Sequence, residues 1–290
     1  MAYDCFTLPT LPNDQVPMVH LWQGATAPLA VLVIAHGMGE HGKRYARFAD
    51  AMVAEGFVVY ANDHRGHGLT VQREDQLGDY GEAGWAGLVS DQRAVIEKAK
   101  ADFPGLPVIL LGHSMGSMVV QHLLTETSDL VDAAALSGTT AVDIMAAAMA
   151  DPDVNVFDAM NDAFKPTRTD FDWLSRDEAE VDAYIADPLC GFTVNDASTA
   201  GLGEAGIAFS TPDAIGNIRK DLPLYIFSGD KDPVGLNGEL VSLVAQRYRD
   251  ANIQNVDLKI YKEARHEVLN ETNRTEITAD FIAWAQRTLS

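Results

Sequence analysis

Ser114 is the residue of this sequence best placed to act as a nucleophile, because it lies between Gly112 and Gly116 at a predicted sharp turn. The apolar run 108–111 precedes this segment, and an apolar stretch with helical composition follows it. The pattern predicts a buried strand that turns into a helix at the serine, which is the context of a nucleophile elbow. Glycines on both sides let neighbouring backbone approach the turn, and the helix N-terminus favours developing negative charge.

An acid and a base farther along the chain support this interpretation, because a serine between glycines is also common in ordinary turns. The apolar run 224–227 leads into a Gly- and Pro-containing turn with two carboxylates, Asp230 and Asp232. We favour Asp232, directly before a proline, as the residue that orients the base; Asp230 is the alternative and could instead cap the turn. His266 follows the last predicted strand. The order serine, carboxylate, histidine is the one that this type of site uses.

Together these residues predict acyl transfer with an acyl-enzyme intermediate. His266 would take the Ser114 proton during attack on an acyl carbonyl, while Asp232 holds the imidazole in the required tautomer. The oxyanion needs two backbone N–H donors. We expect one from Met115, directly after the nucleophile, and the other from Met38, in the loop after the first predicted parallel strand.

The elements that must position these residues follow from short apolar segments that alternate with amphipathic ones. This alternation is typical of a mostly parallel sheet with helices on both faces, an α/β fold. Parallel strands are predicted over residues 30–35, 57–61, 108–111, 133–137, 224–228 and 256–261, and residues 18–22 are predicted to pair at an antiparallel edge. Helices are predicted over residues 45–55, 85–103, 115–125, 237–250 and 276–289.

The regular alternation stops over residues 139–217, where prolines and glycines interrupt short helical segments. We interpret this acidic segment as a helical cap over the carboxyl ends of the strands, where open α/β sheets bind ligands. Residues 1–138 and 218–290 would then form the core domain. Apolar cap residues would line an acyl pocket or form the interior of the cap: Met145, Met149, Phe157, Met160, Phe164, Phe171, Trp173, Leu174, Leu189 and Phe192.

Composition excludes several classes of partner. The chain has 290 residues, 47% of them hydrophobic, and a net charge of −21, which argues against nucleic acids and anionic membrane surfaces. Cys5 and Cys190 fit no zinc or redox spacing, so we expect reduced packing residues in a reducing compartment. No signal peptide or spanning segment is recognisable, which predicts a cytoplasmic protein without stable membrane insertion. The residue pattern implies neither a metal ion nor an organic cofactor, and it leaves the oligomeric state open.

Three motifs resemble the monoacylglycerol lipase and lysophospholipase-like branch of the α/β-hydrolase superfamily. They are His-Gly-Met-Gly-Glu-His-Gly-Lys-Arg-Tyr at 36–45, Asp-His-Arg-Gly-His-Gly at 63–68, and the 112–116 turn. The resemblance covers nearly the whole chain except the cap. It implies the α/β-hydrolase fold and the catalytic and oxyanion roles given above. By the same resemblance, residues 63–68 are expected to support the oxyanion loop rather than to contact substrate.

The substrate is where this sequence departs from the family pattern. In monoacylglycerol lipases a glutamate and an arginine of the first motif contact the glycerol head, together with a histidine three residues after the catalytic one. Glu40 and Arg44 match the first two positions, but Leu269 replaces the histidine. We therefore expect a soluble carboxylesterase in preference to a lipase acting on membranes, with monoglycerides as a further substrate class.

Other functions are compatible with parts of the same pattern. A thioesterase or an acyltransferase would share the elbow and the triad, and a non-catalytic ligand-binding protein could keep the fold. Epoxide hydrolases and haloalkane dehalogenases of this fold use aspartate at the elbow, so Ser114 argues against both.

Overall fold

A mixed eight-stranded sheet forms the centre of the molecule in a computed structural model, which describes residues 1–8, 15–149 and 160–289. The strands are β1 (Ala2–Thr7), β2 (Met18–Gln23), β3 (Ala30–Ala35), β4 (Phe57–Asp63), β5 (Val108–His113), β6 (Ala133–Ser137), β7 (Leu224–Gly229) and β8 (Val256–Tyr261). Their order in the sheet is β1-β2-β4-β3-β5-β6-β7-β8. The neighbours from β4 to β8 are parallel, while β2 is antiparallel to both β1 and β4.

Helices cover both faces of the sheet. The α-helices are α1 (Ala46–Ala54), α2 (Gly84–Asp102), α3 (Met115–Thr127), α4 (Val142–Met149), α5 (Glu178–Ala186), α6 (Asp196–Phe209), α7 (Pro212–Gly216), α8 (Glu239–Asp250) and α9 (Arg274–Thr288). Residues of α2, α3 and α8 pack on one face, and those of α1 and α9 pack on the other. Strands β3 to β7 are buried along their whole length, as expected for parallel strands covered on both sides. The predicted α/β class is confirmed.

The antiparallel edge differs from the prediction. Residues 18–22 do pair antiparallel with β4, but the edge strand is β1, which the sequence pattern did not indicate. The first three residues of β1 and its last one are exposed, and Cys5 and Phe6 are only partly buried, so its sequence lacks the apolar alternation of a half-buried strand. Its place in the sheet depends on backbone pairing with β2.

The segment between β6 and β7 contains helices α4 to α7 and short 3-10 turns, and its described residues form no strand of the sheet. It meets the core near the carboxyl ends of the strands: the backbone N–H of Glu267 donates to Leu174 O over 2.7 Å. Phe157, expected in the acyl pocket, lies outside the described residues. We propose that residues 139–217 form a cap on the core, and we call this segment the cap. In the part of the chain described, no helix is both long and apolar enough to traverse a bilayer.

Candidate active site

Ser114 occupies the turn between β5 and α3 with backbone angles of φ 50° and ψ −122°. Positive φ is uncommon for a residue with a side chain, and such conformations persist only where surrounding contacts hold them. Here the Ser114 N–H donates to Ser137 O over 2.9 Å, and its carbonyl accepts from the N–H and the hydroxyl of Ser117. The strained turn is therefore anchored on both sides.

The flanking glycines are required by close backbone packing. A Cβ atom on Gly116 would lie 2.1 Å from Ala35 O, and one on Gly112 would lie 2.4 Å from Gly116 O. Both distances are far inside van der Waals contact. The start of α3 can therefore approach β3 only because these two side chains are hydrogen atoms.

His266 is hydrogen-bonded to Asp232 through Nδ1 and Oδ1, 2.9 Å apart, and both residues are buried. Asp232 also accepts from the Ser228 hydroxyl and the Val234 N–H. A carboxylate can only accept, so Nδ1 carries the proton and Nε2 is left with its lone pair. Burial alone would lower the pKa of His266, but the Asp232 charge and hydrogen bond raise it above the ordinary value. Burial alone would raise the pKa of Asp232, but the charge and the hydrogen bond of His266 lower it below its ordinary value.

Asp230, the alternative carboxylate, has a different contact. Its side chain accepts from the Glu263 N–H over 2.7 Å, and its own N–H donates to Tyr261 O. It therefore caps the turn after β7, and Asp232 is the carboxylate that contacts His266.

The imidazole of His266 packs between two aromatic rings. The ring of His113 lies 4.8 Å away, centroid to centroid, and that of Trp173, from the cap, lies 5.0 Å away. Because His113 directly precedes Ser114, this packing places His266 beside the Ser114 turn. Burial lowers the pKa of His113 to about 4, so its ring is neutral at pH 7. No pattern in the sequence indicated this role for His113.

The loop after β3 is arranged to present the Met38 N–H. The Nδ1–H of His36 donates to Gly37 O over 2.7 Å, which fixes the plane of the peptide that joins Gly37 to Met38. In a trans peptide the N–H points opposite to the carbonyl, so this bond also fixes the direction of the Met38 N–H. That N–H has no acceptor among the described residues. Met115 is the first residue of α3, where backbone N–H groups lack partners within the helix.

Residues 63–68 lie against this loop. The His64 N–H donates to His36 Nε2 over 2.9 Å, and the Gly39 N–H donates to His67 Nε2 over 3.2 Å. The two accepting nitrogens belong to the rings of His36 and His67, so both of these rings must be neutral. Burial lowers the pKa of His36 well below its ordinary value and that of His67 to about 4, which keeps both rings neutral.

Glu40 and Arg44 belong to a buried ion-pair network. Arg44 donates to Glu40 over 2.7 Å and to both oxygens of Glu267 over 2.6 and 2.8 Å. Glu40 also accepts from the Gly37 N–H and the Tyr45 hydroxyl, so it supports the loop after β3. Burial raises the pKa of Glu267, but the Arg44 guanidinium lowers it to about 2. Sequence reasoning missed Glu267, whose only signal is its position directly after His266.

The three expected substrate-binding residues share one small cavity. Its volume is about 10 Å³, close to the space of one water molecule, and Glu40, Arg44 and Leu269 all line it. His113 and Glu267 line it as well, which places it next to the Ser114 turn.

Three potential metal ligands lie at the contact between the cap and the loop. In the described part of the chain, His41, Asp187 and Cys190 are the one such group, with donor atoms within 4.8 Å of one another. His41 Nε2 is already 3.0 Å from Asp187 Oδ2, and the other oxygen of Asp187 accepts from the Leu189 N–H. Burial raises the pKa of the Cys190 thiol, which disfavours the thiolate that metals bind. These contacts explain why the three residues lie together: they connect the cap to the loop after β3.

Several known proteins are similar to this chain over most of its length. A family model described as serine aminopeptidase, S33, matches residues 26–273. The monoacylglycerol lipase of Mycolicibacterium smegmatis is 33% identical over 274 residues, which cover 91% of this chain and 90% of that relative. A lipase solved in an open form is 26% identical and superposes with a TM-score of 0.86 over 100% of both chains. A thermostable carboxyl esterase from Bacillus coagulans, solved with glycerol, shares the fold with a TM-score of 0.90 and 24% identity over 100% of both chains.

Proposed function

The chain belongs to the serine aminopeptidase S33 family, in the monoacylglycerol-lipase-like branch of the α/β-hydrolases predicted from its motifs, and on this premise we propose that it cleaves carboxylic esters through an acyl-enzyme on Ser114. The observation that carries the proposal is the buried His266–Asp232 hydrogen bond of 2.9 Å beside the strained turn of Ser114. The similarity to a monoacylglycerol lipase over most of both chains supports an ester as the substrate.

In the proposed first step, Ser114 Oγ attacks the acyl carbon while His266 Nε2 takes the hydroxyl proton. The tetrahedral oxyanion receives hydrogen bonds from the N–H groups of Met38 and Met115. Collapse of this intermediate expels the alcohol, which takes the proton from His266. Water then attacks the acyl-enzyme with the same proton transfers and releases the carboxylic acid. Asp232 keeps the imidazole in the Nδ1–H tautomer and stabilises its cation.

We propose that the alcohol group points toward the cavity lined by Glu40, Arg44 and Leu269. Its ionic walls and its room for about one water molecule suit a single hydroxyl group of the alcohol, and the ion pairs of Arg44 hold the two carboxylates in fixed positions. Leu269 supplies an apolar wall where the family pattern has a histidine. Carboxylic esters of polar alcohols, monoacylglycerols among them, are therefore the proposed substrates. Trp173, beside His266, would contact the acyl chain near the carbonyl.

The test combines turnover with covalent labelling. We expect p-nitrophenyl esters and a monoacylglycerol to be hydrolysed, and we expect Ser114→Ala to lower the rate by at least about 10⁴-fold. A fluorophosphonate probe should label the natural protein and fail to label Ser114→Ala. Ser242→Ala is the matched control, because Ser242 lies on α8 and its hydroxyl donates to Gly238 O of the same turn among the described residues. Labelling that persists in folded Ser114→Ala would contradict the proposal.

The same assay separates the alternative functions. A thioesterase would cleave a thioester faster than the oxygen ester of the same acid, and an acyltransferase would form a new ester when an alcohol acceptor is added. A binding protein would neither turn over ester nor react with the probe.

A further inference from the structure

One contact between the cap and the loop after β3, called the oxyanion loop because it carries the proposed donor Met38, is made at the carbonyl of Gly39. Gly39 O accepts two hydrogen bonds from the cap, from the Tyr184 hydroxyl over 2.8 Å and from the Gly191 N–H over 2.9 Å. On the other side of the same residue, the Gly39 N–H donates to His67 Nε2 over 3.2 Å. Both peptide groups around Gly39 are thereby fixed, one by the core and one by the cap.

Gly39 is a position where the loop needs such support. Its φ is +66°, a conformation that glycine alone adopts readily, so nothing intrinsic to the backbone holds it there. A Cβ atom at this position would lie 3.1 Å from the Tyr184 hydroxyl oxygen, so the cap packs directly on the loop.

The Tyr184 hydroxyl is held in position and protonated as a hydrogen-bond donor. Its side chain is buried, and the Arg44 guanidinium lies 4.8 Å from the centroid of its ring, which fixes the ring in place. Burial raises the pKa of the Tyr184 hydroxyl far above neutrality, so the proton that Gly39 O receives is present at pH 7.

We propose that Tyr184 is a positioning residue for the oxyanion hole. The next residue back along the loop is Met38, whose N–H is the proposed oxyanion donor, so a displacement of Gly39 strains the orientation that the His36–Gly37 hydrogen bond gives to that donor. A docked cap would therefore complete the oxyanion hole as well as cover the substrate. The inference rests on the proposed function, because it assigns the residue a role in the same reaction.

The variant Tyr184→Phe tests this directly, because it removes the hydroxyl and keeps the buried ring. We expect kcat for a soluble short-chain p-nitrophenyl ester to fall about 3- to 10-fold, the change that follows from losing one neutral hydrogen bond. KM should stay within about 2-fold, because the bond matters most when charge develops on the oxygen. The affinity for an alkyl boronic acid, which forms a tetrahedral adduct with the serine, should fall by the same factor as kcat. All assays are made well below the melting temperature of each variant.

Tyr225→Phe is the matched control. The Tyr225 hydroxyl is also buried and hydrogen-bonded, to Tyr261 over 2.9 Å, but this pair lies within the core cluster packed against α9. We expect natural kcat and natural boronate affinity for this variant.

Two results would overturn the inference: Tyr184→Phe with the kcat and boronate affinity of the natural protein, or a loss confined to KM, which would indicate a role in cap packing alone. Failure of the proposed function would look different. In that case the natural protein itself would show no turnover and no boronate binding that depends on Ser114, and the inference would fall with it.

Discussion

His266 connects residue-scale electrostatics to the pH range of activity. The proposed mechanism needs the neutral imidazole, and the Asp232 carboxylate raises the pKa of that ring. Activity should therefore increase with pH through a midpoint above about 6.5, the ordinary histidine value. A profile of kcat/KM against pH for a p-nitrophenyl ester checks this. A rate that stays constant down to pH 4 would contradict the role of His266 as base.

The variant Asp232→Asn tests the role of His266 as base more directly. An amide can donate to Nδ1, so the histidine is driven to the wrong tautomer, and kcat should fall by about 10⁴-fold. Removal of the negative charge should also shift the acid midpoint of the residual activity to lower pH. Asp230→Asn is the control, because in the described part of the chain that side chain accepts from the Glu263 N–H and not from His266, and its kcat should be nearly natural.

The residues that could be predicted from sequence are those with a local signature. Ser114 lies in a recognisable turn, Asp232 follows a strongly apolar strand, and His266 follows the last predicted strand. Glu267 and Tyr184 carry no such signature, because their roles depend on partners distant in sequence, Arg44 and Gly39. The tertiary structure alone brings these pairs together.

At the scale of elements, the elbow depends on how closely α3 approaches β3. We expect Gly116→Ala to lower the free energy of unfolding by about 1–3 kcal/mol or more, because its Cβ would lie 2.1 Å from Ala35 O and something must shift. The shift also displaces Ser114, so kcat should fall. Urea titration and a p-nitrophenyl ester assay measure the two effects.

Gly203→Ala is the control for that substitution. Gly203 lies within α6, and the nearest atom to its added Cβ would be 3.8 Å away, an ordinary contact. Because alanine is the better helix former, this variant should be equally stable or more stable by up to about 1 kcal/mol. Equal destabilisation of the two variants would contradict the packing argument.

The strands of the sheet differ in how predictable they are. Buried parallel strands such as β3 and β6 appear in the sequence as continuous apolar runs, and their predicted bounds match the structure. Strand β4 extends two residues beyond its prediction, because Asn62 and Asp63 are polar but buried by hydrogen bonding near the site. The edge strand β1 lacks an apolar pattern, since it is held by backbone pairing.

At the scale of the whole molecule, charge should govern the encounter with lipid surfaces. The chain has 42 acidic and 21 basic residues, a net charge of −21, and exposed carboxylates of the cap such as Glu178 and Asp182 contribute to it. The field of such a protein repels anionic surfaces over about one Debye length, which is about 10 Å at 0.1 M salt. An ester in an anionic bilayer should therefore be reached less often than the same ester in a neutral one.

This argument predicts the rate on a monoacylglycerol presented in vesicles. At low salt, hydrolysis should be several-fold slower in phosphatidylcholine vesicles that contain phosphatidylglycerol than in phosphatidylcholine alone. The difference should shrink as salt is raised toward about 1 M, where the Debye length falls to about 3 Å. Hydrolysis of a water-soluble p-nitrophenyl ester in the same samples is the control, because its rate should not depend on vesicle charge. Faster hydrolysis on the anionic vesicles at low salt would mean that a local surface of the cap, and not the net charge, directs the protein to lipid.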